Sequence, residues 1–343
     1  MKGVLLVNLG SPDSPTAKDV KPYLDEFLMD ERVIDVPNWL RNILVRGIIL
    51  QTRPKKSAEA YAKIWWEEGS PLIVLSERFT DKVKEHSDIP IALGMRYGSM
   101  TIKGALKELH DKGVDEVLLV PLYPHYAMSS YETVVVKVME EQEALFPHMK
   151  LTTLPPFYKN PEYIRVLSER IAENLEGFDY DHILFSYHGI PERHIRKSDP
   201  TRFHCKIDGK CCQTNSVAHN TCYRHQCFDT TESVKAYLNL PEDKVSNSFQ
   251  SRLPNDPWLK PYTDFEFERF PKEGIKNLAV ITPAFVADCL ETLEEIAMEG
   301  QHQFQEAGGK EYKHIPCLNE SEGWVKVMAT WIKDWQSTGA LPA

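Results

Sequence analysis

The sequence predicts an α/β protein of two similar lobes, each a parallel sheet flanked by helices, and three observations support this. At 343 residues the chain exceeds what one hydrophobic core usually serves. The opening phrase Val4-Leu5-Leu6-Val7-Asn8-Leu9-Gly10-Ser11-Pro12 returns as Ile183-Leu184-Phe185-Ser186-Tyr187-His188-Gly189-Ile190-Pro191. A second pair follows in the same order: Val117 to Pro124 after Gly113, and Leu278 to Phe285 after Gly274. Apolar runs of strand length that stop at Gly or Pro, set between stretches of helical spacing, are the pattern of parallel sheets. The copies are chemically unequal, since Leu9 stands where the later phrase has His188.

Composition narrows the function classes. A net charge of −10 argues against a phosphate-backbone partner, so no nucleic acid is expected. Met1-Lys2 precede a short apolar run that Asn8, Gly10 and Pro12 interrupt, which reads as a first buried strand and not as a signal peptide. No apolar stretch reaches the length of a membrane span. The expected compartment is the cytoplasm, where thiols stay reduced and a cysteine cluster suggests metal more than disulfides.

From Asp13 to Asp30 a loop leads into a helix whose core face is Val20, Tyr23, Leu24, Phe27 and Leu28. The segment from Pro37 to Leu50, within a broader stretch at about 33–56, is apolar on most sides and runs into Arg53-Pro54-Lys55-Lys56. It reads either as a buried helix or as an exposed apolar lip that covers a flat hydrophobic ligand or rests on a membrane surface. Pro90 to Gly98 is a strand ending in Arg96 and Tyr97, with Arg96 a candidate anion anchor or a surface ion pair. The strand Val117–Pro124 opens into His125 to Tyr131, a polar and aromatic loop of the kind that walls a pocket. Pro155-Pro156 mark the lobe boundary, giving lobes 1–156 and 157–343, ahead of a helix from Pro161 to Leu175. A last helix around Gly323 to Trp335 looks like packing.

His188 closes an apolar strand. In parallel α/β sheets chemistry collects at the carboxyl ends of strands, where an imidazole serves as a base near neutral pH or as a metal ligand; its alternative is a structural hydrogen bond. Downstream, Asp288, Glu291 and Glu295 recur at i, i+3 and i+7, one face of a helix. They are either carboxylates that join the imidazole around a divalent cation or a proton path, or a helix cap and a solvated first turn. Between 198 and 230 lie Cys205, Cys211, Cys212, Cys222 and Cys227, five of the chain's seven cysteines.

With Ser186-Tyr187-His188-Gly189-Ile190-Pro191, Gln250-Ser251-Arg252, Asp256-Pro257-Trp258-Leu259-Lys260-Pro261 and Asp288-Cys289-Leu290-Glu291-Thr292-Leu293-Glu294-Glu295 in order, the chain resembles a bacterial ferrochelatase over nearly its whole length. The resemblance implies two Rossmann-like lobes with a porphyrin cleft between them. It implies insertion of Fe²⁺ into protoporphyrin IX or a closely related porphyrin, with release of two protons, the terminal metal-insertion step of haem biosynthesis. His188 then matches the metal-site histidine and Glu291 its partner, both ligands of the substrate iron, with Glu295 further along the acidic face as a third catalytic residue. Ile34, Arg53, Arg96, Tyr97, Tyr123 and Trp258 are the expected porphyrin contacts, the arginines holding propionates through charge-assisted hydrogen bonds. The lip implies peripheral membrane contact. Cys289 stands where many members have histidine, which puts a proton-relay role at that position in doubt.

The cysteine segment resembles the internal segment of the [2Fe–2S]-bearing members, with ligands Cys205, Cys212, Cys222 and Cys227 and Cys211 as the alternative to Cys212. Structural zinc is the rival, since His204, His219 and His225 are near in sequence; the x6, x9 and x4 spacings fit the usual zinc pattern poorly. Two other functions stay open: a cobalt or other tetrapyrrole chelatase, and a non-catalytic haem or iron–sulfur sensor.

Overall fold

The computed structural model describes residues 1–253 and 256–342. Its frame is two four-stranded parallel sheets. The first joins β1 (Lys2–Asn8), β2 (Ile91–Met95), β3 (Glu116–Pro121) and β4 (Lys150–Thr153) in the order β2-β1-β3-β4. The second joins β5 (His182–His188), β6 (Val245–Gln250), β7 (Asn277–Ile281) and β8 (Glu311–Ile315) in the order β6-β5-β7-β8. The echo in the sequence is thus an echo in topology, β1 matching β5 and β3 matching β7. The central strands are buried along nearly their whole length, as expected for parallel strands covered by helices on both faces. Leu5, Val7, Leu106, Leu119 and Val134 share one core, and Leu184, Phe267, Val280 and Phe304 share another.

The echoed glycines are fixed by close approach. A side chain on Gly10, at φ +105°, would lie 1.9 Å from the Tyr97 carbonyl oxygen, and one on Gly189 would lie 2.6 Å from that of Gln250. In both sheets the central strand therefore leaves against the end of its neighbour.

Two compact units result. The first holds Met1–Tyr123, Met128–Pro155 and Asn319–Ala343; the second holds Pro124–Ala127 and Pro156–Leu318. This corrects the expected division at 156/157 in two places. The final helix, Glu322–Thr338, belongs with the first unit, because Trp324 stacks on Phe79 at 5.7 Å and Lys2 Nζ donates to the Trp335 carbonyl. Pro124–Ala127 belongs with the second, where His125 Nε2 is 2.9 Å from Thr230 Oγ1.

The apolar segment after Pro37 is one-sided. A short helix, Asn38–Asn42, passes through wide π-type turns at Ile43–Ile49 into the helix Leu50–Ile64. Val45 and Leu50 are buried, but Trp39, Ile43 and Ile48 are 66, 56 and 61 % exposed. It is an exposed lip and not a buried helix. Among the described residues no helix is long and apolar enough to cross a membrane. The cysteine segment is irregular through 198–222 apart from two short turns, Cys211–Gln213 and Val217–Asn220; from Tyr223 it is helix, to Leu238.

Candidate active site

His188 is the last residue of β5 and partly exposed, following a run of fully enclosed residues. Its Nδ1 lies 2.7 Å from the Gly189 carbonyl oxygen. A carbonyl only accepts, so Nδ1 carries the proton and Nε2 presents its lone pair. Phe285 lies edge-on to the ring with centroids 6.1 Å apart, and the His188 carbonyl accepts a 2.9 Å hydrogen bond from the Tyr223 hydroxyl. Trp258 pairs with Pro191 and packs against Gly189; its buried indole Nε1 has no hydrogen-bond partner among the described residues.

The carboxylates come from wide π-type turns at Glu291–Gly300, the kind of helix distortion that recurs at functional sites. Ser251, just past β6 and at φ +64°, donates its backbone N–H to Glu295 at 2.8 Å and its hydroxyl at 2.5 Å. Gln250 Nε2 adds a donor to the Glu291 carbonyl at 3.0 Å. Burial raises the Glu295 pKa, against the lowering by the Ser251 hydrogen bonds and by His188 whenever that ring takes up a second proton. A carboxylate held toward its neutral form beside an imidazole is an arrangement for moving protons.

Asp288 departs from the expected shared face. It precedes the helix and turns inward, where its Oδ1 accepts from the Thr292 hydroxyl at 2.9 Å and the Cys317 N–H at 3.3 Å. Cys289 is buried; burial, then the charge of Glu291, holds its thiol well above the usual range, so it stays protonated.

In the first unit Arg96 is committed internally. Its Nη2 is 2.5 Å from Asp30 Oδ2 and its Nε is 2.7 Å from Thr133 Oγ1. Thr133 also donates to Asp30, as does the Tyr97 hydroxyl at 2.9 Å. Burial alone would raise the Asp30 pKa, but the bonds from Thr133 and the Arg32 N–H, with the Arg96 charge, lower it. Arg96 and Tyr97 are therefore bound to the buried Asp30 carboxylate, which already takes up the Arg96 charge. Arg53 is exposed and makes no hydrogen bond or ion pair with any described residue. Tyr123 is buried, and Ile34 is partly buried with its carbonyl held by Arg41 at 3.0 Å.

Among the predicted cluster residues, the nearby Cys205 thiol, partly offset by Cys212, together with burial pushes the Cys222 thiol up to about 12, and burial, then the charges of Cys222 and Cys212, hold the Cys227 thiol well above its usual range. Cys211 instead bonds Asp208. Arg224 Nη1 points at Cys212 Sγ, 3.1 Å away. The histidines are occupied: Nε2 of His204 and of His219 lie 2.9 and 3.2 Å from the Cys211 carbonyl, and His225 Nδ1 lies 3.0 Å from that of Cys212. Among the described residues no three His, Cys, Asp or Glu side chains close to the spacing of a single bound ion, here or around His188.

Sequence reading missed Asp30, Ser251 and Tyr223. Ser251 had a signal, standing within the Gln-Ser-Arg phrase; Tyr223 had a weaker one, flanked by Cys222 and Cys227.

The structure is thus an α/β protein with an imidazole at the open end of a parallel strand, its Nδ1 held by a carbonyl and its Nε2 able to take a proton or bind a metal. The fold agrees with solved chelatase structures: SirB from Bacillus subtilis with Fe³⁺ (TM-score 0.57, 11 % identity, 99 % of this chain and 98 % of that one) and the sirohydrochlorin chelatase SirB from Bacillus subtilis subspecies spizizenii in complex with cobalt (0.53, 9 %, 97 % and 94 %). The ferrochelatase family model matches residues 1–335. Ferrochelatases of Opitutus terrae and Stutzerimonas stutzeri are 48 and 47 % identical over 337 and 332 residues, covering 97 and 95 % of this chain and 97 and 96 % of theirs. The chain belongs to the ferrochelatase family.

Proposed function

We propose that the chain inserts Fe²⁺ into protoporphyrin IX or a closely related porphyrin, with His188 and Glu291 as ligands of the incoming iron and Glu295 as the acceptor that passes protons on. The observation that carries this is the Gly189 lock on His188 Nδ1, which leaves Nε2 a lone pair beside carboxylates. Insertion exchanges two pyrrole N–H protons for one dication, so the site must take protons and hold Fe²⁺ in the same place. Neutral imidazole with carboxylate suits Fe²⁺, and Glu295, whose pKa burial raises, suits proton transfer. Bending the stiff macrocycle draws on binding energy from the rest of the ring, for which Trp258, Tyr123 and Ile34 are the candidates, with Arg53 as the remaining propionate partner.

Cys205, Cys212, Cys222 and Cys227 are the residues that would hold a [2Fe–2S] centre, and Cys212 is preferred to Cys211 because Cys211 is engaged by Asp208. The histidines' bonds to carbonyls disfavour a mixed Cys–His zinc site. Such a centre, when bound, cross-links the loop, since metal insertion involves no electron transfer. The lip, with Trp39, Ile43 and Ile48 outward above Arg53, Lys55 and Lys56, suits peripheral contact with an anionic membrane surface.

Anaerobic protein mixed with excess protoporphyrin and Fe²⁺ tests the activity by absorption. Turnover of the excess is expected; a single stoichiometric shift would make the chain a binder, and faster turnover with Co²⁺ on another tetrapyrrole would move the substrate. About two iron and two acid-labile sulfide per chain are expected, and one zinc in colourless protein contradicts the cluster.

A further inference from the structure

Gln250 touches both halves of the site at once. It ends β6 as the register partner of His188. Its backbone carbonyl accepts a 2.8 Å bond from the N–H of Gly189, the residue whose own carbonyl holds the imidazole at Nδ1. Its side chain runs the other way, where Nε2 donates to the Glu291 carbonyl at 3.0 Å and lies 3.4 Å from Glu295 Oε2. One residue, 2 % exposed, thus links the imidazole to the turns that carry both carboxylates.

The amide is itself held in one orientation. The Glu291 carbonyl only accepts, so Nε2 must face it and Oε1 must face away, where the Ser186 hydroxyl donates to it at 3.0 Å. With that proton committed, Ser186 accepts from Thr263 Oγ1 at 2.9 Å, and Thr263 accepts in turn from Ser248 Oγ at 2.7 Å. Ser186 on β5 and Ser248 and Gln250 on β6 stand at alternate positions in register, and so on one face of the sheet. Ser186, Ser248 and Thr263 are all buried. Burying three hydroxyls and an amide costs stability unless every bond is made. The repeated fold does not require them: Val7 stands where the later phrase has Ser186, and its register partner is Gly94, whereas that of Ser186 is Ser248. The polar chain stands behind the strand end that carries His188, and apolar residues take its place in the first sheet.

We propose that Gln250 is a positioning residue that fixes the carboxylates of Glu291 and Glu295 relative to the His188 imidazole. This rests on His188 and Glu291 being the iron ligands. The test is Gln250→Met, which keeps an unbranched side chain and removes both polar ends, with Thr231→Val as control. The Thr231 hydroxyl is equally buried and joins Tyr187 and Asn247, on the opposite face of the same two strands, so its loss reports what a broken buried bond does to stability alone. Q250M should lose about tenfold in kcat/KM for Fe²⁺, the worth of one buried hydrogen bond, and hold KM for porphyrin within about twofold. T231V should lower the unfolding midpoint and change neither.

A folded Q250M with wild-type kinetics toward Fe²⁺, a porphyrin KM that rises in step with the iron defect, or a defect matched by T231V overturns the proposal and leaves the iron ligands standing. No turnover by wild type overturns that assignment and the proposal with it. Should Q250M fail to fold, Ser186→Ala decides, because it frees the amide to turn while keeping Gln250. A fall of about threefold or more in kcat/KM for Fe²⁺ with porphyrin KM unchanged then supports the proposal, and wild-type kinetics overturn it.

Discussion

β1 and β5 leave their sheets by the same turn. Each is followed by a glycine whose missing side chain lets the backbone pass the end of the neighbouring strand, Gly10 against Tyr97 and Gly189 against Gln250. What stands beside the turn differs. In the first unit Leu9 is inert, and the carboxylate nearest the end of β2, Asp30, is saturated by Arg96, Thr133 and Tyr97. In the second, His188 takes the place of Leu9, and Glu295, bound by Ser251 just past β6, has neutral donors only. The pKa values move in opposite directions, Asp30 down and Glu295 up. A repeated backbone supplies a place for chemistry, and whether the local carboxylate has a permanent cation decides if that place is structural or reactive.

The largest expected effect is on stability, at the saturated end. Asp30→Ala leaves the Arg96 guanidinium buried and unpaired, which costs about 3 to 5 kcal/mol; a loss under about 1 kcal/mol in denaturant unfolding would break the comparison. The Asp30 contribution has a lowered folded pKa, so it is present above the unfolded value of 3.8 and disappears as pH falls through the folded one.

At the reactive end the sign reverses. Glu295 has a raised folded pKa, so its contribution is most favourable below the unfolded value of 4.5 and declines as pH rises through the folded one. Glu295→Gln should slow insertion about 100-fold and yet unfold at a higher temperature than wild type at pH 8, the two curves meeting near pH 4. A variant less stable than wild type at pH 8 would show that the ionised carboxylate is structural after all.

The smallest effect belongs to the lip, which neither end uses. Trp39→Ser with Ile43→Ser should leave the unfolding free energy within about 0.5 kcal/mol per site, because both side chains are exposed, while binding to anionic vesicles falls. Loss of most of the thermal stability would return the segment to the core.

Much of this was legible in the linear chain because it is local. Strands stop at Gly or Pro, and the echo of Val4–Pro12 in Ile183–Pro191 carried both the doubled sheet and the one armed strand end. Glu291 and Glu295 could be placed on one face from their spacing. Long-range commitments were not legible: nothing near Arg96 in the sequence shows that Asp30, 66 residues away, is folded onto it. Asp288 was assigned to the helix face because spacing does not show where the helix starts, and it turns to Thr292 and Cys317. Adjacent Cys211 and Cys212 are indistinguishable by spacing, and only the fold sends one to Asp208 and the other to Arg224. The last helix was assigned by sequence order, whereas stacking of Trp324 on Phe79 places it in the first unit.

The central claim is that the chemistry resides at the strand end carrying His188. Iron insertion by His188→Ala, measured anaerobically together with its thermal unfolding and porphyrin binding, tests it most directly. The account predicts a loss of at least about 100-fold in kcat, with the unfolding midpoint and porphyrin affinity close to wild type, because a partly exposed residue at a strand end adds little to the core. A folded variant that retains turnover would contradict it.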